Sequence, residues 1–176
     1  MSHGIITLLL ALQAAAPVPS IAPDWDLKPK VQKIGPEVEK LRPVLVQLQP
    51  EKWTAAGAPV AYEKQYQDCL TAIGYVQNTA ARLAEQPAKL SLAVETLVRL
   101  ESLVQTASSV SQAVRRYQNP AIADLLDGEI SAAGASRDWL RQHVSDLSIL
   151  REKELSVAEQ EAQKCRAQTL HQGSRK

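Results

Sequence analysis

Apolar residues between Leu90 and Tyr117 recur at alternating steps of four and three: Leu90, Ala93, Leu97, Leu100, Val104, Ala107 and Val114, with Leu103, Val110 and Tyr117 widening the stripe along one flank. Glu95, Arg99, Ser102, Gln105 and Ser109 face the other way, and neither Gly nor Pro interrupts the run. The pattern predicts a long amphipathic helix, the longest clean one in the chain. One neighbour cannot cover a two-sided stripe, so at least two further helices must pack on it, as in a bundle.

The rest of the chain supplies those partners. Tyr62, Tyr66, Cys69, Ile73, Val76, Ala80 and Leu83 form a second four-three stripe that ends before Pro87, and the short link there folds the Leu90 helix back antiparallel. Upstream, Leu27, Val31, Ile34, Val38, Leu41, Leu45 and Leu48 keep the same spacing beside a heptad of prolines, Pro29, Pro36, Pro43 and Pro50. Each interior proline removes one backbone bond and crowds the carbonyl four residues back, at about 3 kcal/mol. Two outcomes are open: a curved helix with its kinks on one side, or a helix starting at Pro36 with one bend at Pro43. Glu51 to Pro59 reads as a connection that turns the chain.

A last helical region runs from Ala121 through Ile122, Leu126, Ile130, Ala133, Leu140, Val144 and Leu147. There the stripe changes phase: the old register would bury Arg151 and Glu154, whereas Leu155, Ala158, Ala162 and Cys165 continue in a new one. Either one long helix carries a stutter or the chain reverses; without Gly or Pro between Asp138 and Leu170, the long helix is the favoured reading. Arg115, Arg116, Asn119 and Pro120 suit a helix end and the next helix start better than a ligand site.

Composition narrows the class. With 176 residues, 45% hydrophobic content, 4% aromatic content and no Phe, the chain suits one all-α domain packed through Leu, Val and Ala. A net charge of +1 with both signs interspersed gives no basic field for a nucleic acid. Ile5 to Leu12, followed by three alanines, resembles a secretory signal too short to span a membrane. Residues 1–22 are therefore expected to be a signal, 23–59 an extended linker plus the Pro-heptad helix, 60–172 a helical bundle and 173–176 a frayed tail; with the Pro-heptad helix included, the antiparallel bundle has four helices, or five if the chain reverses. The expected location is secreted or periplasmic, with no span left after signal removal.

Candidate chemistry is sparse. Cys69 and Cys165 both sit at apolar-face positions, and a disulfide between them is expected if the chain is exported and reverses near Ser148. His3, His143 and His171 are isolated, and His143 reads as a partly exposed helix residue. No di-iron, haem, phosphate-loop or nucleophile pattern is present, so neither an enzyme nor a cofactor or metal site is expected. Excess amphipathic surface points to association with another protein or a second copy, as a scaffold, adaptor or chaperone-like factor. The expected contact residues are Trp25, Leu27, Val31, Ile34, Val38, Leu41 and Trp53, together with the charged stretch from Arg151 to Arg166. The alternative is a carrier holding a small apolar ligand among the helices.

Overall fold

A computed structural model describes residues 24–173, with side-chain surroundings for 26–169. It is all-α, with six helices and no strand among the described residues: α1 (Asp24–Glu39), α2 (Leu41–Leu45), α3 (Pro50–Ala55), α4 (Ala61–Glu85), α5 (Leu90–Tyr117) and α6 (Pro120–Gly173). The expected signal and the tail beyond Gly173 lie outside the described residues.

Contacts between the long helices fix their directions. Ser109 Oγ on α5 donates to Gln65 Oε1 on α4 at 2.7 Å, while Arg82 lies 3.4 Å from Glu95 near the opposite ends, so α4 and α5 are antiparallel. Arg115 to Asp127 at 2.7 Å and Arg141 to Glu101 at 2.5 Å make α5 and α6 antiparallel in the same way. Gln77 donates to Glu39 at 3.0 Å, and Lys28 and Val31 line one groove with Ala84 and Glu85, so α1 also runs against α4. On its other side α1 meets α6, through Ser136 bonded to Glu37 and Lys30 over the Trp139 ring at 5.9 Å. Each long helix lies alongside two of the others, and α1/α5 and α4/α6 are the pairs whose backbones do not come close among the described residues. Leucine, valine and alanine side chains from all four meet in one hydrophobic cluster.

The N-terminal segment departs from both expectations. Residues from Asp24 on are helical, where an extended linker was expected. Pro29 and Pro36 lie inside α1, yet the helix breaks at Lys40, three residues before Pro43. Pro43 cannot donate to the Glu39 carbonyl and its ring crowds it. The chain tightens instead: Lys40 N–H bonds Glu37 O, and Gln47 and Leu48 bond Val44 and Leu45, all three residues back. These tight turns preserve the stripe, since Leu27, Val31, Ile34, Val38, Leu41, Leu45 and Leu48 are all buried while Pro29, Pro36 and Pro43 face solvent.

The expected connection from Glu51 to Pro59 contains a helix of its own. Pro50 opens α3 at its first turn, and Gly57, at φ 91°, closes it. Gly57 N–H bonds Thr54 O at 3.0 Å and Ala58 N–H reaches Trp53 O at 2.9 Å, the left-handed helix stop that favours glycine. Helix α4 and helix α5 lie where their stripes predict, and α6 takes the long-helix alternative without reversing.

Candidate interaction surface

The Pro-heptad stripe, expected to meet a partner, is turned into the core of this chain. Leu27 is 4% exposed, and Val31, Ile34, Val38, Leu41 and Trp53 are fully buried. A heptad stripe answers the same physical demand whether its partner lies in the same chain or in another, and here α4 and α6 already cover it. The side chain of Trp25 lies outside the described residues. Trp53 is an internal anchor: its ring meets Tyr66 edge-on at 6.5 Å and its indole N–H donates to Gln118 Oε1 at 2.9 Å. The same oxygen accepts the Gln49 N–H at 3.1 Å, so one amide ties α3 and the α5–α6 turn together.

The expected disulfide is absent. Cys69 is a buried free thiol on α4, and Cys165 is a free thiol exposed on α6. Because α6 continues unbroken past Leu147, Cys165 is carried away from the core instead of descending towards Cys69. Burial pushes the Cys69 thiol up to about 12, and the neighbouring Asp68 carboxylate adds to the effect.

His143 also departs from expectation, being 4% exposed. Its ring stacks on Trp139 with centroids 5.4 Å apart, and Nε2 lies 2.8 Å from Pro87 O, so that nitrogen carries the proton and fastens the α4–α5 link to α6. No group of three metal-ligating side chains gathers among the described residues. Arg115 bonds Asp124 and Asp127, each at 2.7 Å, while Asn119 Oδ1 accepts the Ala121 N–H at 2.9 Å, which assigns this turn to capping and packing.

Two surfaces remain open. Between α4 and α5, Tyr75 and Val98 are exposed beside Arg99, whose guanidinium sits 5.3 Å from the Tyr75 ring centre and 3.1 Å from Glu95. Sequence reasoning passed over these residues, although apolar side chains off the main stripe are the signal that marks them. The second surface is the distal part of α6. Arg151 donates to Ala88 O at 3.1 Å, and every residue from 152 to 169 is exposed.

No family model, curated protein or solved structure matches the chain. Its function must therefore be argued from the surface alone. At 1.5 Å per residue, 152–169 continue α6 for about 27 Å past Arg151, whose hydrogen bond to Ala88 O is the last to the body among the described residues. Leu155 is 61% and Val157 54% exposed there. Leu155, Ala158, Ala162, Cys165 and Thr169 keep a three-four spacing along one face of this extension. Charge is segregated along it: Glu152, Glu154, Glu159 and Glu161 accompany Lys153 in the proximal part, and Lys164 and Arg166 stand without an acid in the distal part.

Proposed function

We propose that the chain acts by association with other protein, as an exported scaffold, adaptor or chaperone-like factor, with distal α6 as its working surface. The observation that supports this reading is the exposure of an entire helical extension whose apolar positions keep helical spacing. A helix held out from its own core gains nothing from burial, whereas covering Leu155, which is 61% exposed, in a complex contributes about 1–2 kcal/mol. The glutamates, lysines and arginine around that face keep the extension in water until a partner arrives.

Export rests on the apolar run from Ile5 to Leu12 and the small residues after it. No helix among the described residues is long and apolar enough to cross a membrane. The deciding experiment deletes residues 152–176, expresses both forms with the native N-terminus in an exporting host, and compares co-purifying proteins and sedimentation. Loss of a partner or of self-association supports the reading, and identical behaviour of the two forms rejects it. The intact mass of the same preparation tests removal of an N-terminal segment.

A further inference from the structure

We infer that distal α6 pairs antiparallel with the distal α6 of a second copy of this chain; this deepens the association reading and rests on it. The face formed by Leu155, Ala158, Ala162, Cys165 and Thr169 has coiled-coil spacing and no partner within the described residues. Small side chains at 158, 162 and 165 let two helix backbones approach closely. The charges that flank this face select both the partner and its direction.

Glu154 and Glu161 precede the positions of Leu155 and Ala162, while Glu159 and Arg166 follow those of Ala158 and Cys165. In a parallel pair each preceding position meets the following position of the next heptad, which sets Glu154 against Glu159 and Glu161 against Arg166 of the second copy. An attractive pair in the distal half is then offset by a repulsive one in the proximal half. In an antiparallel pair positions of the same kind meet, and the register that puts Ala162 across from Cys165 brings Glu159 beside Arg166 of the second copy. Two-fold symmetry repeats that ion pair, and the acidic half of each helix lies along the basic half of the other. In this register residues 158–169 lie side by side, an overlap of about 18 Å that is short for a permanent dimer, so the association depends on concentration.

Sedimentation equilibrium of the full reduced chain tests this, with wild type, Glu159→Arg, Arg166→Glu and the double variant compared. Glu159 and Arg166 are exposed, so circular dichroism should be the same for all four. The expected result is a monomer–dimer equilibrium that each single reversal weakens several-fold and the double reversal restores. A dimer tightened by Glu159→Arg would overturn the pairing in favour of a parallel one. A chain monomeric at every concentration would also overturn it; if deletion of 152–176 still removed a co-purifying protein, the association reading would stand with a different occupant. If that deletion also changed nothing, both would fall.

Discussion

The indole N–H of Trp53 and the side-chain oxygen of Gln118 meet at 2.9 Å, joining α3 to the α5–α6 turn across 65 residues of chain. Gln118 also accepts from Gln49 N–H and donates to Gln47 O, so its amide satisfies three groups on the α2–α3 segment. Gln118→Leu should remove these partners and cost about 1–3 kcal/mol, because the donor of a fully buried Trp53 is left without an acceptor. Gln118→Glu, which keeps an acceptor for the indole N–H, should cost less. Urea unfolding followed by circular dichroism measures both, and equal costs would count against the hydrogen bond as the cause.

Two glycines should respond in opposite senses. Gly57 has φ 91° with open space around it, so Gly57→Ala meets no clash and carries only the conformational cost, about 1–2 kcal/mol. Gly128 lies inside α6 with open space where a methyl group would stand, so Gly128→Ala should stabilise by about 0.5–1 kcal/mol. Thermal unfolding of the two single variants, run side by side, checks the opposite signs.

How far the chain could be read depended on where its information is local. Helix α5 spans Leu90 to Tyr117 as its stripe predicts, because no Gly or Pro competes with the periodicity. The break at Lys40 was hidden, since tight turns through Leu48 keep the leucine spacing while changing the backbone bonds. Burial of His143 was equally illegible: its partner is the Pro87 carbonyl, 56 residues away, on a link that only the fold brings near. The candidate surface was half legible. A stripe states that a face needs cover, and the Pro-heptad and distal α6 stripes look alike in that respect; only packing shows that the first is covered and the second is not.

The two thiols should behave as different chemical species. At pH 8 an aromatic disulfide reagent should label Cys165 rapidly and leave Cys69 untouched, one equivalent per native chain and two in denaturant. For Cys69 the folded thiol, near 12, lies above the ordinary value of 9.0. The proton is therefore held more tightly in the native state than in the unfolded one. That contribution to stability is complete below about pH 9 and declines as pH rises towards 12. A Cys69→Ala chain should lose less stability than wild type over that interval, measured as the difference between their urea midpoints at pH 8 and at pH 10.5.

Distal α6 should be separable from the folded body. Arg151, bonded to the Ala88 carbonyl, is the last described residue with a hydrogen bond outside α6, and residues 152–169 bury no side chain. Ending the chain after Arg151 should therefore leave the unfolding free energy of the body within about 0.5 kcal/mol of the full chain, the scale of changes at exposed sites. Helical content should fall by the amount that the extension carries, with the cooperativity of the main transition unchanged. Moving the end back past His143 should do much more, since it removes the Pro87 contact and uncovers Trp139. Calorimetry of the two truncations separates these cases: a large loss from the shorter deletion would mean that distal α6 folds back on the body, and would remove the ground for reading it as a surface held out for a partner.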